Sequence, residues 1–143
     1  LDVSIQAQIL NLLQDLQEAK GLTYIFVTHN LSVVKHISDD IMVMYVGTMV
    51  EKSPADDLFD YPLHPYTKGL LSAIPVPSLH VEHKRVLLKG EITSPVNPAP
   101  GCRFCARCEF ATEECSRSMP PSEELEPGHF VACHHARKIN GLS

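Results

Sequence analysis

The chain has 143 residues, of which 44% are hydrophobic and 20% charged, with 12 Lys+Arg against 17 Asp+Glu for a net charge of −5. That suffices for one domain or parts of two small ones, is too apolar for disorder, and holds no apolar run near the roughly 18 residues of a membrane span. The acidic balance, without a basic block, argues against nucleic acid as a partner. All 11 prolines fall between Pro54 and Pro127 and all 5 cysteines between Cys102 and Cys133, so a compositional break near Ser53-Pro54 divides the chain. The opening Leu1-Asp2-Val3 has neither Met nor a charged-then-apolar leader, and a fragment is expected.

Ile5, Ile9, Leu12, Leu13 and Leu16 recur at helical spacing between Ser4 and Lys20, with Gly21 placed to end the helix. Tyr24-Ile25-Phe26-Val27-Thr28 is a continuous β-branched and aromatic run, which predicts a strand buried on both faces. His29-Asn30 breaks it; a helix over 31–38, a strand over 40–45, a turn at Gly47-Thr48 and a strand over 49–51 follow. That alternation is the rhythm of a parallel α/β sheet, in which ligands gather at the carboxyl ends of strands, where Thr28-His29-Asn30 would lie. A histidine there can donate to an anionic oxygen or simply to a neighbouring carbonyl. Asp39 and Asp40 read as solvated charges at a helix end.

Residues 1–10 (Leu-Asp-Val-Ser-Ile-Gln-Ala-Gln-Ile-Leu) and 24–31 (Tyr-Ile-Phe-Val-Thr-His-Asn-Leu) closely resemble the ATP-binding subunits of ABC transporters. The resemblance implies that Leu1-Asp2 ends the D-loop, with Asp2 at the nucleotide-dimer interface, and that His29 is the switch histidine facing the γ-phosphate. No G-x-x-x-x-G-K-[ST] occurs in the chain. The phosphate-cradling amides and lysine of that motif, together with the signature loop and Walker B strand, are missing. The parent is then an ATPase using ATP and Mg, and this chain alone is expected to be inactive. Strands deprived of their neighbours invite pairing with another copy, so an oligomer is expected of the isolated chain.

In the proline-rich middle, Ser53 and Pro54 predict the cap and first residue of a helix that Pro62 stops. Residues 64–75 predict a second short helix that packs Tyr66, Leu70 and Ile74. The run His64-Pro65-Tyr66-Thr67-Lys68-Gly69-Leu70-Leu71 is similar to the extension after the nucleotide domain in oligopeptide, dipeptide and nickel ABC importers, to which no catalytic role attaches. Ser78 to Lys84, with His80 and His83, reads as a solvated linker, and 85–92 as a short strand.

Cys102-Arg103-Phe104-Cys105-Ala106-Arg107-Cys108 is C-x2-C-x2-C, with six residues between Cys108 and Cys115 and seventeen between Cys115 and Cys133. A disulfide framework needs an oxidising compartment and an even count; ordinary buried thiols explain isolated cysteines; a metal centre explains close spacing on a Gly/Pro-framed loop. The triple spacing resembles bacterial ferredoxins, and zinc takes four thiolates as readily. Spacing favours Cys105 as a ligand. The segments Gly101-Cys102-Arg103-Phe104, Arg107-Cys108, Cys115 and Gly128–Cys133 also resemble the end of peptide-importer ATPases. That likeness implies a four-iron four-sulfur cluster on Cys102, Cys108, Cys115 and Cys133, and leaves Cys105 out. Arg103 and Arg107 flank the thiols, either solvated or offsetting their charge. His134 and His135 read as a surface pair, with His134 a fallback ligand for zinc, and the acidic stretch 109–126 as a solvated insertion.

The expected architecture is α/β: the end of an ABC nucleotide-binding domain over 1–52, then an importer-type extension over 53–143 that carries a small irregular cysteine-rich metal-binding tail at 101–135. The implied partners are a second ATPase subunit, membrane-spanning permease subunits and, indirectly, a peptide-binding protein, at the cytoplasmic face of the membrane. The alternative is a free-standing structural or redox metal module.

Overall fold

The computed structural model describes residues 3–74, 90, 94 and 96–142. It divides into two compact units, Leu1–Ser38 and Asp39–Ser143. In the first, the apolar spacing forms helix α1 (Val3–Lys20), and Gly21 at φ 62° closes it, with the Leu22 N–H donating to the Gln17 carbonyl at 3.2 Å. Helix α2 (Leu31–Ile37) is capped by Asn30, whose Oδ1 accepts from the Val33 N–H at 3.4 Å.

Between them the predicted strand is not formed: residues 22–28 have no regular secondary structure. Tyr24 and Phe26 line a small hollow with Leu10, Leu13 and Ile37, whereas Ile25 and Val27 are 93% and 97% exposed. The side chains alternate as in an extended chain, but a strand exists only through ladder bonds to a neighbour. Among the described residues none pairs with this run. Ile5, Ile9, Leu12 and Leu16 on α1 are likewise exposed.

The second unit is built on a sheet of order β1-β2-β4-β3, and every pairing among the described residues is antiparallel, not the parallel arrangement the alternation predicts. Strands β1 (Asp40–Tyr45) and β2 (Thr48–Pro54) form a hairpin across Val46-Gly47, both at positive φ, the backbone of a two-residue I′ turn. Ile41, Val43 and Tyr45 point into the core while Asp40, Met42 and Met44 face out.

Helix α3 (Ala55–Asp60) starts one residue later than predicted. Pro54 occupies the cap without a side-chain bond, and Ser53 is buried inside β2. Helix α4 (Pro65–Ser72) has Pro65 in its first turn and buries Pro65, Thr67 and Gly69, leaving Tyr66, Leu70 and Ile74 half-buried.

The acidic stretch is not a plain insertion. It contains helix α5 (Glu113–Arg117) and strand β3 (Glu123–Glu126), which pairs with β4 (His129–Val131). Strand β4 in turn lies on β2, with Glu51 opposite Val131 and Lys52 opposite Phe130. Helix α6 (Ala136–Asn140) ends in Gly141 at φ 66°. Leu63, Val131 and Ala136 close a core with Leu125, Cys133 and Leu142 packed around it. The expectations at Asp2, His80, His83 and the strand over 85–92 fall outside the described residues, Gly90 excepted.

Candidate functional site

The cysteine loop is a run of tight turns. The Cys105 N–H donates to the Cys102 carbonyl at 3.0 Å and the Cys108 N–H to that of Cys105 at 3.3 Å, with a 3-10 turn over Cys105–Arg107 between them. Its start is pinned to α5, where the Cys102 N–H donates to the Cys115 carbonyl at 2.7 Å. A Cβ on Gly101 would lie 2.4 Å from the carbonyl oxygens of both Cys115 and Ser116, so only glycine allows this approach.

Phe104, 1% exposed, drives the loop into the sheet. Its ring meets Tyr45 edge-on at 5.2 Å, Tyr66 at 5.5 Å and His64 at 5.7 Å. Arg107 reaches the Tyr45 hydroxyl at 3.5 Å and Arg103 donates to the Ala99 carbonyl, so both arginines hold the loop.

All five cysteines are free thiols. Burial pushes Cys108 up to about 11 and raises Cys102 and Cys133; in each, main-chain N–H groups aimed at sulfur oppose the rise. Those donors are Phe110 for Cys108, Phe104 and Cys105 for Cys102, and His135 and Ala136 for Cys133. The charges of neighbouring cysteines also raise these thiols, Cys115 acting on all three. Cys105 is raised by burial and by Cys115, with no opposing main-chain donor.

Cys115 is buried at the centre of α5, with the Thr112 hydroxyl 3.6 Å from its sulfur. The Thr112 oxygen is also 2.8 Å from Nε2 of His135. His134 donates from Nε2 to the Ser118 carbonyl at 3.0 Å and faces Glu114 at 3.5 Å, so both histidines are structurally engaged rather than a bare surface pair.

The donor chemistry suits a thiolate-bound centre, since Cys102, Cys108 and Cys133 each have main-chain donors aimed at sulfur and the Thr112 hydroxyl lies within reach of Cys115. The closeness does not. Among the described residues no group of three or more His, Cys, Asp or Glu side chains is gathered tightly enough to hold a metal ion, so the expected metal-binding tail is not shown.

His29 lies exposed in the loop before α2, where the Asn30 N–H donates to Thr28 Oγ1 at 3.1 Å. His64 is structural: its Nδ1 accepts from the Tyr66 N–H at 3.0 Å, capping α4, and burial pushes its pKa down to about 4. The sequence reading missed Glu51 and His129, which are 0% and 1% exposed. The Glu51 carboxylate accepts from the N–H groups of Leu63 (2.7 Å) and His64 (3.0 Å) and meets His129 Nε2 at 2.7 Å. No local signal marked either residue, because the two meet only across 78 residues of chain.

Residues 50–115 match the family described as oligopeptide/dipeptide transporter, C-terminal region. The resemblance read from residues 1–10, 24–31 and 64–71 is matched by named relatives: over 94% of its length the chain is similar to oligopeptide and dipeptide transport ATP-binding proteins. It is 58% identical over 136 residues to the putative oligopeptide transport ATP-binding protein YkfD of Bacillus subtilis and 52% identical to the oligopeptide transport ATP-binding protein AppF of the same organism. Identity to the dipeptide transport ATP-binding protein DppF of Haemophilus influenzae is 50% over 135 residues. The chain spans 41% of the length of each of these three relatives.

Proposed function

We propose that this chain is the C-terminal part of an ATP-binding subunit that powers peptide import by an ABC transporter. The observation that carries the reading is 58% identity over 94% of the chain to a relative named for oligopeptide transport. ATP with Mg supplies the driving chemistry in the whole protein. His29, exposed at the head of α2, is the group assigned to the γ-phosphate, and Asp2 belongs to the interface with the second ATPase subunit. Membrane-spanning permease subunits and, through them, a peptide-binding protein complete the assembly at the cytoplasmic face of the membrane; no helix among the described residues is itself long and apolar enough to cross one.

The exposed Ile25, Val27, Ile5, Ile9, Leu12 and Leu16 suit surfaces that the remainder of such a protein would cover. In the isolated chain those surfaces favour self-association. Light scattering over a concentration series should show oligomers, and a clean monomer throughout refutes this.

Cys102, Cys108, Cys115 and Cys133 are the residues assigned to hold a four-iron four-sulfur cluster, with zinc as the alternative. The main-chain donors aimed at Cys102, Cys108 and Cys133, against their absence at Cys105, support three members of that set. The group would clip together a tail with little apolar content of its own.

The isolated chain should show no ATP hydrolysis, and His29→Ala in the whole protein should abolish it. Wild-type turnover in that variant would refute the role of His29. Iron with acid-labile sulfide after oxygen-free purification supports the cluster, zinc alone supports the clip, and neither metal refutes the ligand set.

A further inference from the structure

Asn140 is followed by Gly141, whereas Asn11 and Asn30 are followed by leucine and Asn97 by proline. An asparagine before glycine is chemically the least secure. With no side chain on the next residue, the following main-chain nitrogen can swing onto the carbon of the side-chain amide.

In the structure both polar atoms of the Asn140 amide are taken. Nδ2 donates to the Ala136 carbonyl at 2.7 Å and to the Leu63 carbonyl at 3.0 Å, and Oδ1 accepts from Lys68 Nζ at 2.5 Å. Two carbonyl oxygens on one side and an ammonium on the other fix which end of the amide is nitrogen. The Gly141 N–H is engaged too, with the Lys138 carbonyl at 3.4 Å, in the left-handed turn that ends α6. The contacts with Leu63 and Lys68 cross 77 and 72 residues of chain, so they exist only while α6 is docked against the start of α4.

We propose that Asn140 is a site of spontaneous deamidation governed by the docking of α6. Docked, the amide is protected; undocked, it is consumed, and the helix no longer fits its place. In the undocked helix the Gly141 nitrogen gives its proton to hydroxide and bonds to Asn140 Cγ. The Cγ–Nδ2 bond breaks, and ammonia leaves with a proton from water. Water then opens the succinimide at either carbonyl, leaving aspartate or isoaspartate. Solvent is the only co-reactant.

The contacts make the change one-way. A carboxylate has no proton to donate at neutral pH, so it sets an anionic oxygen against the carbonyl oxygens of Leu63 and Ala136. It also stands at the carboxyl end of α6, where the helix dipole disfavours negative charge. Isoaspartate lengthens the main chain by a methylene just where it turns back, with the Leu142 N–H on the Arg137 carbonyl at 2.9 Å and the Leu142 side chain against Leu63, Val131 and Ala136. The contact with Lys68 gains from the new charge, but one ion pair at a half-buried lysine offsets little of this.

The test follows the full chain by peptide mass spectrometry during incubation at mildly alkaline pH, with and without urea. Deamidation at Asn140 should be at least about tenfold slower without urea. Lys68→Met removes the hold on Oδ1 and should bring the urea-free rate towards the rate in urea. Equal rates with and without urea in the unsubstituted chain overturn the protection, as does a Lys68→Met rate no faster than that of the unsubstituted chain.

The one-way character has its own readout. In Asn140→Asp, amide hydrogen exchange at Ile139 and Leu142 should lose its protection; full retention overturns the release of α6. Where that variant does not fold, the aged unsubstituted chain serves instead. Its deamidated fraction, separated by ion exchange through the added charge, should lack protection at the same two amides, and retention there overturns the inference equally.

Discussion

Replacing Glu51 with alanine should be among the most damaging single changes in the second unit. The side chain is 0% exposed and its two oxygens collect three bonds: 2.7 Å from the Leu63 N–H, 3.0 Å from the His64 N–H and 2.7 Å from His129 Nε2. Those bonds join β2 to the start of α4 and to β4. Alanine leaves two main-chain donors and a buried imidazole without an acceptor, each at about 1–3 kcal/mol, and opens a void. The losses overlap. Removal of one member of a buried pair costs about 3–5 kcal/mol in total, a large fraction of the roughly 5–15 kcal/mol that holds a domain together. At about 4–8 °C per kcal/mol, the midpoint of thermal unfolding should fall by on the order of 20 °C.

Glutamine keeps one acceptor but turns an NH2 towards an N–H, and should cost roughly half as much. Urea unfolding followed by tyrosine fluorescence, which suits a chain with 4 Tyr and no Trp, gives the free energies. A double-mutant cycle with His129→Ala isolates the pair. A loss below about 1 kcal/mol for Glu51→Ala would refute the argument that a fully buried carboxylate organises this unit.

Three further changes have expected outcomes. Phe104→Ala removes a ring packed on Tyr45, Tyr66 and His64 and should cost about 3–5 kcal/mol, seen in urea titration, while releasing the cysteine loop to faster alkylation. His64, held down to about 4 by burial, binds its proton in the unfolded chain near 6.5, so the unfolded state gains protons first as pH falls. Its contribution is full above pH 6.5 and declines towards pH 4, by roughly 2–3 kcal/mol between pH 7 and pH 4.5; His64→Asn should flatten that part of the stability profile, and an unchanged slope would count against it. Gly101→Ala forces a Cβ against two carbonyl oxygens of α5, and should separate the loop from that helix, seen as loss of amide protection at Cys102.

What was readable before the structure was mostly local. The periodicity of 5–16 and the stop at Gly21 placed α1 closely, and alternation placed β1, because both depend on neighbouring residues alone. The run Tyr24–Thr28 has the composition of a strand, but composition cannot supply the neighbour whose amides complete it. Glu51 could not be recognised as buried, since it pairs with Val131 and meets His129 on β4, far along the chain. Near the cysteines, spacing favoured Cys105 and only the family resemblance left it out; main-chain donors aimed at sulfur occur at Cys102, Cys108 and Cys133 and not at Cys105. The contact of Thr112 with His135 was hidden because nothing local to either residue signals the other.

The pairing of β4 on β2 has a consequence for how the protein is made. A ribosome releases the β1–β2 hairpin long before it releases His129–Val131, so one side of β2 waits bare while the whole intervening stretch is synthesised. During that interval the Glu51 carboxylate has no imidazole, and the open strand edge can capture another nascent chain. A message cut short before the segment His129–Val131 would therefore yield a product with every residue of the hairpin but without the strand that pairs with β2. Quality control that recognises bare strand edges would find such products readily.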